Sequence, residues 1–406
     1  MPTKNATVRN AVCIGTLCSV FYLAVYIVRN ILSAVTPAIV KAGSFSTEQI
    51  GVLSTAFFVT YAVGQLLNGL LGDRIKAKYM IGLGLLLSGG AHILLPLFSD
   101  NWIITYLSYA STGFFLSMIY APMTKVTAEN TGLLYATRCT LGYTLASFLG
   151  SPIAGLFAAW MTWQSVFYTG SIMLFFMGVL CFLSFSFLER KGMILYRPFE
   201  KKKGENGSIS ILLKRQIIKF TLVSVLTGIV RTTVVFWMPT YISQYLNFSP
   251  ETSALLFAVS TLIISSVTFL SVFLYELLKR NMERTLLFSF ISSAICFAIV
   301  FLIRQPILNM IFLVLGIMSS NSAATMLWSV YCPGLEDTGM VSSATGFLDF
   351  ASYIAAAVSS AIFANAVSII GWKGLIFVWF SLMVGGVIIS LPVRPLVKNC
   401  KSNSTV

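Results

Sequence analysis

The chain has 406 residues, 57% of them hydrophobic and 10% charged, against roughly 25% charged in an average soluble domain. Its formal net charge is +14. The composition excludes a soluble globular domain and a disordered chain, and it makes the positive excess a property of loops beside a membrane rather than a nucleic-acid footprint.

A hydrocarbon core about 30 Å thick needs about 20 apolar residues per crossing helix. By that measure twelve spans follow in order: 11–39, 48–71, 79–98, 102–125, 133–158, 163–187, 217–245, 252–277, 285–303, 307–331, 340–368 and 373–393. The first has no small-residue cleavage site, so it is expected to stay as a membrane helix. The fold class expected is an all-α polytopic membrane protein of twelve helices in two six-helix bundles. Residues 1–188 and 216–406 form the bundles, and 189–215 form a cytoplasmic linker. Within that linker, KGMILYRPFEKKKGENGS is basic and Gly-containing. It reads as a solvated tether, or as a contact with anionic headgroups.

With the N-terminus in the cytoplasm, the tails and inward loops hold 22 of the 27 basic residues. The outward loops hold three: Lys41, Arg304 and Lys373. This bias places both termini in the cytoplasm. The two basic residues left over, Arg29 and Arg231, lie inside predicted spans about half a chain apart. An arginine at the centre of a membrane helix costs at least ~2.5–3.5 kcal/mol on insertion scales, so each marks a candidate site.

Helix by helix, few residues carry chemistry. In the first, Tyr22 and Tyr26 precede Arg29 at helical spacing and share its face. In the third, His92 lies in apolar GGAHILL, where a packed or hydrogen-bonded imidazole is expected before a proton relay. The seventh holds Arg231. The eleventh holds Asp349, the only acid inside a predicted span away from its ends. It can pair with an arginine, carry a proton or bind substrate hydroxyls. The seven cysteines show no paired spacing and read as packing residues. Neither a metal-ligand spacing nor a nucleotide-binding glycine loop is present, and nothing pairs a nucleophile with a base. No cofactor and no enzymatic activity are therefore expected.

The loop after the second helix reads GLLGDRIKAK. It resembles the G-x-x-x-D-R-x-x-x-[RK] loop between helices 2 and 3 of major facilitator superfamily transporters. Gly69, Asp73, Arg74 and Lys78 fill the pattern, while Lys76 stands where glycine is usual. Glycine permits close helix approach. The charges can make bonds across the cytoplasmic face that hold one conformation shut. The corresponding second-half loop, YELLKRNMER, is degenerate.

The arginine patches are similar to the organophosphate:phosphate antiporters, which include bacterial glycerol-3-phosphate and hexose-6-phosphate transporters. Tyr22, Tyr26 and Arg29 match that family's first helix, and Arg231 followed by FWMPTYI resembles its seventh. Tyr61, twelve residues before Asp73, and Tyr353 in GFLDFASYIAAA match site tyrosines; YAPMTK resembles the end of the fourth helix. Several family positions differ. Asn30 and Gln65 replace lysines, Gly228 replaces a tyrosine, and the helix-5 histidine is absent, Tyr143 being the nearest candidate.

The resemblance implies a substrate site of Arg29, Arg231, Tyr22, Tyr26, Tyr61, Tyr353, Asn30, Gln65 and Asp349. It implies a small anionic substrate exchanged for inorganic phosphate; a monomer is expected because nothing in the architecture demands more, and the compact chain with short outward loops is expected in the lipid bilayer of a prokaryotic plasma membrane. Two guanidinium forks suit a phosphate, and a bound dianion would draw the halves together. A proton-coupled carrier using Asp349, a sugar-phosphate sensor and a scaffold with structural arginines remain as alternatives.

Overall fold

The computed structural model describes residues 4–72, 75–131, 133–196, 213, 215–332 and 341–391. Its elements are α-helices. In chain order they are α1 (Lys4–Lys41), α2 (Thr47–Gly72), α3 (Ala77–Leu97), α4 (Trp102–Thr131), α5 (Leu133–Trp160) and α6 (Trp163–Arg190). After the linker come α7 (Ile217–Gln244), α8 (Pro250–Leu277), α9 (Met282–Leu302) and α10 (Pro306–Tyr331). Val341–Ser390 contains the last two, α11 (341–370) and α12 (372–390), separated by Gly371 at φ 66° and ψ 177°. Glycine meets no steric penalty in that conformation, which other residues avoid.

Ten stretches among the described residues are long and apolar enough to span a bilayer. Gly346–Ser390 is one of them although it holds two helices, and in α5 only Leu145–Trp160 enters as a shorter apolar helix. The twelve expected spans thus each meet a helix, with ends shifted by a few residues. Caps explain several starts: Asn101, Thr162, Ser249 and Asn281 each accept a bond from the backbone N–H three residues on. Most spans are not strongly one-sided, because the outer face meets lipid, which is as apolar as the interior. Leu183, Phe187, Phe273 and Ile369 are accordingly exposed.

Two elements depart from a regular helix. In α7 the turn Ile229–Val234, which carries Arg231, is π-helical. In α10, Leu327–Tyr331 is π-helical as well.

α1 packs on α5 and α6, and α3 packs on α4 and α6. α9 packs on α10, and α7 on α11. The halves meet through α1 with α7, α2 with α11, and α5 with α8. Among the described residues, the hydrogen bonds joining the halves lie at mid-helix or on the side away from the N-terminus. Thr55 Oγ1 donates to Ala357 O (3.1 Å), Ser54 bonds Ser360, and Gln244 Nε2 reaches Thr47 Oγ1 (3.5 Å). Among the described residues, the halves are therefore joined by hydrogen bonds at mid-helix and on that far side.

Candidate functional site

Arg29 sits deep in α1, half-buried. Its Nη1 donates to Tyr353 Oη of α11 at 2.9 Å. Its guanidinium carbon lies 4.9 Å from the ring centres of Tyr61 and Tyr353 and 5.3 Å from that of Tyr26. Aromatic faces hold a cation by their quadrupole, worth ~0.5–2 kcal/mol each. Tyr353 belongs to the opposite half, so the bond crosses the interface at mid-membrane.

Arg231 lies on the π-helical turn of α7, also half-buried. Its depth follows from the packing of α7 on α11. Ser224 Oγ donates to Leu348 O (2.8 Å), and Thr233 Oγ1 donates to Ala356 O (3.0 Å). Arg231 falls between these two rungs, at the level of Tyr353. Gly228 makes the approach possible, since a Cβ there would collide with Ser352. A tyrosine at 228 has no room, so this departure from the resembled pattern has a packing cause.

Asp349 stands one helical turn before Tyr353 on α11, within electrostatic range of both Arg231 and Arg29. No ion pair within 4.0 Å joins it to either among the described residues. Tyr353 in turn feels Arg29, Arg231 and Asp349. Tyr22, Tyr26, Tyr61 and Tyr353 are thus gathered with Arg29, and Arg231 and Asp349 sit beside them.

Two expected members behave differently. Asn30 Nδ2 donates to Tyr26 O of its own helix at 2.6 Å, which uses one N–H of its amide one turn back. Gln65 is half-buried one turn beyond Tyr61 on α2.

Two tyrosines outside the expected set join the cluster. The rings of Tyr120 and Tyr143 lie 5.5 and 5.9 Å from Tyr22 and 6.2 Å from each other. The sequence offered Tyr143 only as the nearest candidate for the absent helix-5 histidine and Tyr120 only as the start of YAPMTK, and neither entered the expected site.

On the N-terminal side, Asp73 and Arg74 lie outside the described residues, and Gly69 falls in the last turn of α2. Lys78 pairs with Glu189 at the end of α6, as does Lys76 at 2.7 Å. Both ends of these bridges belong to one half, so Lys78, expected to gate between conformations, here fastens α3 to α6. Glu189 holds the Lys76 ammonium above the ordinary lysine value. Tyr196 Oη accepts from Lys78 N (3.3 Å), and burial pushes that hydroxyl up to about 12.

His92 is fully buried and stacked on Phe167 at 4.6 Å. Both its ring nitrogens are without a hydrogen-bond partner among the described residues. Of the two readings for it, packing is the one its surroundings match. No group of three His, Cys, Asp or Glu suited to a metal occurs among the described residues, and Cys13, Cys18, Cys139, Cys181, Cys296 and Cys332 form no disulfide.

Comparison with known proteins gives the geometry its setting. The phosphoglycerate transporter protein of Salmonella typhimurium is 25% identical over 92% of this chain and 86% of its own length. The glycerol-3-phosphate transporter of Bacillus subtilis is 24% identical over 57% of each. The membrane sensor protein UhpC of Salmonella typhimurium is 33% identical, over 23% of this chain and about a fifth (21%) of the sensor. Among solved structures, a D-xylose-proton symporter superposes with a TM-score of 0.73 at 12% identity, covering 93% of this chain and 96% of the other. A bacterial homologue of the lysosomal transporter Spinster, in an inward-facing and unoccupied conformation, gives 0.70 at 14% identity, with 96% and 94% covered. These last two are likenesses of fold. The family model of the Major Facilitator Superfamily matches residues 18–360, and the chain belongs to that superfamily of membrane transporters.

Proposed function

We propose that the chain is a secondary active transporter that exchanges an organophosphate for inorganic phosphate by alternating access. The substrate is held between Arg29 and Arg231. The observation that carries this reading is one guanidinium from each half at the depth of Tyr353, with a tyrosine-lined wall around the first. The transporters of phosphoglycerate and glycerol-3-phosphate among its relatives support a phosphate ester as substrate class. Each guanidinium fork can donate two N–H bonds to phosphate oxygens. The tyrosines supply hydroxyls and ring faces for a sugar or glycerol body, and Asp349 can accept from a substrate hydroxyl.

The mechanism follows from charge. Two arginines without a ligand repel each other and resist closure in a low-dielectric interior. A bound phosphate cancels that repulsion and favours the occluded state, by as much as it binds that state better. The unloaded carrier crosses slowly, and exchange results. We further place the N-terminal side in the cytoplasm of a bacterial plasma membrane, on the positive-inside bias. The seam between α2 and α11 then lies on the outward side.

The test is uptake of labelled phosphate into liposomes holding the purified protein, loaded with phosphate or with none. Uptake should require internal phosphate and vanish in Arg29→Ala and in Arg231→Ala. Lysine at either position should rescue poorly, since a point charge lacks the planar fork. Wild-type rates in either alanine variant sink the proposal. The sensor relative raises a second reading. Saturable binding of glucose-6-phosphate without any exchange would favour it.

A further inference from the structure

An unloaded carrier with two half-buried arginines inside its helices has to place both charges somewhere. The two are treated differently here. Arg29 is already engaged by a hydrogen bond to Tyr353 Oη and by the ring faces of Tyr26, Tyr61 and Tyr353. Arg231 makes no side-chain hydrogen bond and lies over no aromatic ring among the described residues. Tyr353 and Arg29 come from opposite halves, so their bond joins the same two bodies that a phosphate would join. The Tyr61 and Tyr353 rings pack edge-on at 5.1 Å, which seats the phenol over the guanidinium.

We propose that Tyr353 is the stand-in ligand of the empty site: its hydroxyl takes the place of a phosphate oxygen on Arg29, and an incoming phosphate must displace it. The proposal rests on the exchange reading above. Phosphate then engages Arg231 first, which has Asp349 in electrostatic range but no hydrogen bond among the described residues, and wins Arg29 from Tyr353 second. Release reverses the order. The stand-in also sets how strictly the carrier exchanges. By giving Arg29 an acceptor when no phosphate is present, it opens a path for the unloaded protein to return.

The first readout needs no transport. Purified protein in liposomes free of phosphate is treated with phenylglyoxal, which modifies arginine, and the rate at each arginine is read by peptide mass spectrometry. Arg29 should react more slowly than Arg231. In Tyr353→Phe, which keeps the ring and loses the acceptor, the Arg29 rate should rise about tenfold, the scale of a lost charge-assisted bond. Tyr353→Leu, which loses ring and acceptor, should raise it further. Equal rates at Arg29 in all three proteins, each shown to be folded by its melting temperature, overturn the proposal.

The second readout compares net phosphate efflux with phosphate exchange. Tyr353→Phe should lower the ratio of net efflux to exchange about tenfold. A fall of both fluxes by one common factor would make Tyr353 an ordinary binding residue and also overturn the proposal. Absence of exchange in the wild type would count against the transport reading alone, because the modification rates still decide the role of Tyr353.

Discussion

At the scale of single residues, burial separates chemistry from packing. His92 has two desolvated nitrogens without partners and a phenyl ring beneath it. Leaving a buried polar atom unpaired costs about 1–3 kcal/mol, whereas an apolar group of similar size carries no such cost. His92→Leu should therefore leave the melting temperature unchanged or raised, with exchange retained. A lost exchange at unchanged stability would instead make it a proton relay. Glu189 gives the contrasting case. Its side chain is only 26% exposed and meets both Lys76 and Lys78. Glu189→Gln should destabilise the protein by about 1 kcal/mol, the upper end for pairs near water. Since both bridges stay within one half, the variant should shift the melting temperature without changing the exchange rate of the folded fraction.

At the scale of elements, the far side is closed by a seam between α2 and α11. Gly51 faces Ala364 closely enough that a Cβ would collide with it, and Ser54 bonds Ser360 one turn along. Small residues let the helices approach, and the hydroxyls bond across the gap. Gly51→Val should wedge the seam apart at about 1–3 kcal/mol, the usual scale of overpacking. That shifts a two-state equilibrium by about 5- to 150-fold toward the form open on the far side. Spin labels at Ser44 and Asn247, on a background without native cysteines, should report a longer mean distance. An unchanged distance distribution would show that the seam does not hold the closure. On α7, the π-helical turn under Arg231 adds a residue to one turn. Such turns are frequent at functional sites. Here it re-aims the arginine between the rungs made by Ser224 and Thr233 on α11.

At the scale of the whole molecule, the distribution of charge carries the topology. Cysteines placed in the loop 42–46 should react with an impermeant maleimide from outside intact cells, and cysteines near residue 194 should not. The reverse pattern would invert the orientation and with it the side on which the seam lies. A seam that joins the halves on one side and can open is what an alternating mechanism requires. The site at their boundary can then be reached from one side at a time.

Length and hydropathy alone determined the twelve spans, because a bilayer imposes nearly the same apolar run on every crossing. They also singled out Arg29 and Arg231, since a permanent charge is costly at such depth. Tyr22 and Tyr26 could be named from their helical spacing to Arg29, but Tyr61 and Tyr353 only by their resemblance to a known pattern, because a tyrosine in a membrane helix is unremarkable by itself. What the local sequence could not carry were features that arise between helices. These are the shared depth of the two arginines, the bond from Arg29 to Tyr353 324 residues away, the collision that keeps residue 228 a glycine, and the side on which the halves close. Each depends on which faces of distant helices meet. In a chain apolar on nearly every face, only the packing of the folded molecule decides that.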